Sequence, residues 1–117
     1  MYTNYNRYTP KFDFNHGTVT ISGKSVLEDP GEVWLGFIKE LKDYINKYDF
    51  ITVDFRLDAF NTSSSMYVTN VMLTLDELKD KCKVTINWYY LEIDEDMQFL
   101  GEAYKDMTKT KVNLIVK

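Results

Sequence analysis

One cysteine, one histidine and two prolines are spread over 117 residues, and these scarcities remove whole classes of function. With Cys82 alone, no disulfide framework and no multi-cysteine metal site can be built. A histidine-rich metal site or a Ser-His-Asp triad would have to use His16, which stands beside Gly17 in turn chemistry. Long apolar runs are missing too: no stretch approaches the ~20 residues of a membrane span. Residues 1–9 alternate Tyr and Asn and lack the apolar centre of a secretory signal, so the expected compartment is the cytoplasm. Positive charge is in deficit, with 14 Lys and Arg against 18 Asp and Glu and a net charge of −4. That balance argues against a nucleic-acid partner and against docking on an anionic membrane. Gly23-Lys24-Ser25 imitates the end of a phosphate-binding loop, but Thr18 stands where the motif needs its first glycine. No cofactor and no metal are expected.

What the chain does have is core material. Hydrophobic residues make up 44% and aromatics 15%, enough for one domain and too little chain for two. Residues 1–8 read as a polar, Tyr- and Asn-rich lead-in, and residues 9–117 as a single domain. Phe12 and Phe14, then Val19 and Ile21, alternate with polar residues as two strands of a hairpin, which Gly23-Lys24-Ser25 ends. Asp29-Pro30-Gly31-Glu32 is helix-start chemistry, with Asp29 as cap and Pro30 in the first turn. Val33, Phe37, Leu41, Tyr44 and Tyr48 give that helix its apolar face. Residues 50–57 form a central strand. Val68, Val71, Met72, Leu75, Leu78 and Cys82 mark a second helix, and residues 84–90 a strong strand. Asp94, Glu95 and Asp96 suit the first turn of a third helix carrying Met97, Leu100, Tyr104 and Met107. Residues 112–116 close the chain as a strand. The order ββαβαβαβ predicts an α/β domain, a mixed sheet with helices packed on it through right-handed crossovers.

The strongest local signal is Asn61-Thr62-Ser63-Ser64-Ser65, at the border between strand and helix patterns. One amide or hydroxyl suffices to cap a helix, and four successive hydroxyls exceed that need. A helix N-terminus also favours added negative charge, by about 0.3–1 kcal/mol at exposed sites. The run therefore reads as a phosphorylation switch, with Thr62 the favoured acceptor and Ser63 and Ser64 as alternatives. Asn61, Ser63 and Ser64, with Tyr67 and Asn70 on the following helix, are the expected partner contacts. No catalytic residue is expected. Asp54 and Asp58 lack the further carboxylates that a Mg²⁺-dependent phospho-accepting aspartate requires. On the strand Trp88-Tyr89-Tyr90, successive side chains point to opposite faces. Either helices cover both faces there, or an aromatic anchor is offered to a partner.

Several segments together resemble the SiaC family of bacterial regulatory phosphoproteins. They are Thr9-Pro10, Gly23-Lys24-Ser25, Val53-Asp54-Phe55-Arg56-Leu57, Phe60-Asn61-Thr62-Ser63-Ser64, Asn87-Trp88-Tyr89-Tyr90 and the acidic stretch from Glu92 to Asp96. The resemblance implies a fold similar to anti-sigma-factor antagonists and an acceptor threonine falling on Thr62. It also implies a protein kinase, a metal-dependent phosphatase that reverses the modification, and a diguanylate cyclase bound and activated by the unmodified form. Output would be cyclic diguanylate signalling in biofilm or aggregation control. Leu27-Glu28-Asp29 stands where family members tend to carry Pro-Glu-Asn, and Leu91 and Ile93 interrupt the acidic stretch. The alternative is a constitutive interaction scaffold, or a partner-switching protein with a different effector.

Overall fold

Strands and helices succeed one another in the order β1 (Lys11–Asn15), β2 (Thr18–Ser25), α1 (Gly31–Ile45), β3 (Phe50–Phe60), α2 (Thr62–Glu77), β4 (Lys83–Tyr90), α3 (Glu95–Met107) and β5 (Lys111–Val116). This computed structural model describes residues 7–117, so most of the predicted lead-in lies outside the described residues. His16 and Gly17 both take positive φ, 48° and 85°, the two-residue turn that matches the twist of a tight hairpin. The sheet runs β1-β2-β3-β4-β5, with β1 antiparallel to β2 and the other neighbours parallel.

This order has a geometric consequence. Each right-handed crossover advances one strand in the same direction, which places all three helices on one face. The core shows the same: Val19, Ile21, Val53, Phe55, Ile86 and Trp88 of the sheet meet Trp34, Phe37, Leu41, Val68, Met72 and Tyr104 of the helices in one cluster. The alternate residues, including Thr20, Asp54, Arg56, Asn87 and Tyr89, form an open polar face. There Asn87 donates to Asp54 at 2.9 Å and Asn113 donates to Asn87 at 3.0 Å. Helices on both faces, one of the two accounts of the aromatic run, are therefore not what the chain builds. Trp88 is in the core, while Tyr89 lies on the open face with the Arg56 guanidinium 3.7 Å from its ring centre.

Several local expectations shift. The cap position of α1 is held by Pro30 (φ −79°, ψ −3°), with no side-chain cap bond, so Asp29 does not perform that role. Pro30 is already helical and carries no side-chain acceptor. The buried face of α1 is Trp34, Phe37, Ile38, Leu41 and Ile45, and Tyr48 falls beyond the helix end. Val33 and Trp34 are adjacent apolar residues, and helical spacing alone admits either. β2 continues through Gly23 to Ser25 instead of ending there. Leu78 caps α2, so Cys82 belongs to the turn after the helix, although it is buried as expected. Met107, predicted on the apolar face of α3, is 46% exposed in the last turn.

Candidate functional site

The hydroxyl run sits at the carboxyl end of β3, and the register prepares its geometry. Gly23 pairs with Leu57 and Lys24 with Ala59, so Asp58 is the extra residue of a bulge. A bulge bends its strand and re-aims the residues after it. Here it extends β3 to Phe60 and delivers Asn61 in extended conformation (φ −87°, ψ 175°) as the cap of α2.

Asn61 pins the junction in several directions. Its backbone N–H donates to the Ser25 carbonyl at 3.1 Å, and its side-chain amide donates to the Leu27 carbonyl at 2.9 Å. Its side-chain oxygen accepts from the Ser64 N–H at 3.0 Å. The amide thus caps the helix, and no hydroxyl of the run has to.

The four hydroxyls then divide sharply. Ser64 is fully buried, with its oxygen 2.7 Å from Ser25 Oγ, which also accepts from the Trp34 indole N–H at 2.9 Å. This dry chain joins the end of β2, α1 and the first turn of α2. Ser64, an alternative acceptor and contact residue by sequence, instead has its hydroxyl committed to the core. Ser65 Oγ donates to the Thr62 carbonyl at 2.7 Å. Thr62 and Ser63 face solvent, and among the described residues no hydrogen bond engages either hydroxyl. The first turn of α2 carries no acidic residue, whereas α1 has Glu32 and α3 has Glu95 and Asp96 in theirs. The partial positive charge at the start of α2 is left without a carboxylate.

The other expected contacts on α2 reach solvent only in part. Tyr67 is half-buried against the core, with its hydroxyl 3.0 Å from where a Cβ on Gly31 would stand, and Asn70 is half-buried. Met66 and Leu73, at 58% and 43% exposure, are the large apolar side chains of α2 that do reach solvent. They fall outside the Val68–Val71–Met72–Leu75 spacing, and that mismatch is the signal that could have found them.

The loops before α1, α2 and α3 lie on one edge of the sheet, at the carboxyl ends of β2, β3 and β4. Beside the junction, Asp58 pairs with Lys117 at 3.2 Å, a solvent-exposed contact worth about 0–1 kcal/mol. The β4–α3 loop exposes Leu91 and Ile93 (49% and 89%), which with Asp94, Glu95 and Asp96 line an open depression of about 410 Å³. Such an open hollow lacks the enclosure of a small-molecule site. Among the described residues, no three His, Cys, Asp or Glu side chains converge as a metal site, and no helix is long and apolar enough to cross a membrane. Burial, with the nearby Asp49 charge, pushes the Cys82 thiol above its ordinary pKa, which keeps it a protonated core residue.

The junction thus presents an exposed, unengaged threonine at the start of a capped helix. Residues 4–117 match the SiaC family of regulatory phosphoproteins. The chain belongs to that family. Three solved structures, all from Pseudomonas aeruginosa, share the fold. One is a chain of the complex between diguanylate cyclase SiaD and its activator SiaC (18% identity, 97% of this chain and 96% of that chain, TM-score 0.83). A second is apo-SiaC (19% identity, 98% and 97% covered, TM-score 0.81). The third is SiaC (18% identity, 100% and 98% covered, TM-score 0.83). No curated protein matches the sequence. In this SiaC-family chain, Thr62 is the threonine of the Asn-Thr-Ser-Ser segment, and the structure leaves its hydroxyl outward.

Proposed function

We propose that this SiaC-family protein is a non-enzymatic phospho-switch acting in the cytoplasm, modified on Thr62. A partner kinase transfers the terminal phosphoryl group of a nucleoside triphosphate to the Thr62 oxygen, releasing the nucleoside diphosphate and the hydroxyl proton, and a metal-dependent phosphatase hydrolyses the ester with water to restore the hydroxyl and release inorganic phosphate. The unmodified form binds and activates a diguanylate cyclase, setting cyclic diguanylate output in biofilm or aggregation control. The observation that carries this reading is the division of labour at the junction. Asn61 caps, Ser64 is buried, and Thr62 remains exposed at the first helical position.

The physical step is local. Phosphorylation adds about −1.5 to −2 charges at neutral pH. The free N–H groups of the first helical turn accommodate that charge in the folded protein. A partner surface that desolvates a neutral Thr62 has no such provision, and a loss of a few kcal/mol is enough to break the complex. Binding therefore changes while the fold stays.

Affinity capture from the native host tests the proposal, with wild type and Thr62→Asp as baits and mass spectrometry of retained proteins. The expected result is a diguanylate cyclase held by wild type and lost with Thr62→Asp. Identical partner lists from the two baits would reduce Thr62 to a structural position and overturn the switch.

A further inference from the structure

From residue 59 to residue 75 the chain carries no Asp, Glu, Lys, Arg or His, in a protein where 27% of residues are charged. No other uncharged run in the sequence is as long. It contains α2 from Thr62 to Leu75, including the whole exposed side of that helix before Asp76. Solvent-facing helices ordinarily put charge on their outer face, and α1 and α3 do so with Lys39, Glu40, Lys42, Glu102 and Lys105. On α2, Met66 and Leu73 stand in that place.

Their placement is not scattered. Met66 and Leu73 come four and eleven positions after Thr62, which puts all three within about 40° of one another around the helix. They form one ridge along α2 with the acceptor threonine at its end. The absence of charge is selective about what can cover it. A charged partner side chain buried between Thr62 and Leu73 would meet no counter-charge from the residues of that stretch, the nearest on this side of the helix being Glu77 one turn beyond, and would lose its hydration without return. An uncharged apolar surface meets none of that cost, and depletion of charge with enrichment of Met marks the centre of protein interfaces.

We infer that the Thr62–Met66–Leu73 ridge is the docking surface for the effector, and that it takes an uncharged, apolar patch of the diguanylate cyclase. This rests on the function proposed above and adds the location and chemistry of the contact. The ridge also accounts for the sensitivity of the switch: a phosphate on Thr62 would put a full charge at the end of a ridge that carries none before Asp76 and Glu77 close the helix.

The test is a binding titration with the purified diguanylate cyclase retained by wild type. Wild type, Met66→Glu, Leu73→Glu, Thr62→Glu and, as an off-site control, Phe50→Glu are compared. Phe50 is 68% exposed at the opposite end of the sheet. Both ridge variants and Thr62→Glu should weaken binding at least tenfold and Phe50→Glu less than twofold, with circular dichroism melting unchanged in the Met66, Leu73 and Phe50 variants. Wild-type affinity should vary less than threefold between 50 and 500 mM salt, as an uncharged contact requires. Full binding by both ridge variants, with loss only in Thr62→Glu, would overturn the ridge and leave the phospho-switch standing. A steep fall in affinity with salt would replace it with a charge-driven contact, such as the acidic β4–α3 loop. Should wild type bind no cyclase at all, the proposed function falls and the ridge assignment with it.

Discussion

Ser63 and Ser64 are neighbours of the same type, and the structure gives them opposite duties. Ser63 faces water, while Ser64 is a fully buried member of the Trp34–Ser25–Ser64 chain. Ser64→Ala leaves Ser25 with one partner fewer in a dry site, and should destabilise by about 1–3 kcal/mol in urea denaturation. Ser63→Ala should stay within about 0.5 kcal/mol of wild type. Gly101 is a second position where one atom decides. A Cβ there would stand 2.5 Å from Trp88 Cδ1 and 2.7 Å from Leu114 Cδ2. The Trp88 indole, buried and held by its bond to the Met97 carbonyl at 2.8 Å, cannot give way cheaply. Gly101→Ala should cost about 1–3 kcal/mol by thermal or chemical denaturation, although alanine is the better helix former.

At the scale of the element, α2 is tied at both ends. Asn61 and Ser64 hold its start. Near its end Asp76 accepts from the Lys109 N–H, the Thr110 N–H and the Thr110 hydroxyl at 2.9, 3.0 and 2.9 Å. Burial alone raises the Asp76 carboxyl, but those donors outweigh it and hold the pKa below its ordinary value. A depressed carboxylate contributes stability that is present above its unfolded pKa and lost as pH falls through the folded value. Asp76→Asn should therefore have a lower urea midpoint than wild type at neutral pH, with the gap closing below about pH 4. A gap constant across that range would mean the contact does not depend on charge. The two ties differ in how far the sequence discloses them. Asn61 announces itself locally, as a capping residue between two hydrophobic patterns. The buried serine does not, because its partner lies 39 positions away and each hydroxyl of the run looks alike in sequence. Asp76 is silent for the same reason: its donors come from the far side of α3. The order of elements is legible throughout, since alternation and helical spacing are properties of neighbours. The open sheet face is also written in the strands, as Thr18, Thr20, Thr52, Asp54, Thr85 and Asn87, but the adjoining aromatic run masks it.

For the whole molecule, the three helices and their core occupy one side of the sheet, and Thr62 sits at the carboxyl end of β3. A charge added at Thr62 meets solvent and backbone N–H groups, not the core. Thr62→Glu should therefore keep the wild-type urea m-value and lie within about 1 kcal/mol of wild-type stability, on the stabilising side. A reduced m-value would mean that modification loosens the domain and that release of the effector is a folding event.

Trp34 gives the molecule an optical channel. Its indole is fully buried, and its N–H ends on Ser25, one bond from the first turn of α2. Water reaching that serine pair would redden its emission, whereas a partner that docks and leaves the helix in place would not. Trp88 holds the matching position under the start of α3 through the Met97 carbonyl. The chain therefore carries its own fluorophores beneath two of its helix starts, and rigid docking can be told from helix displacement in real time without attaching a dye.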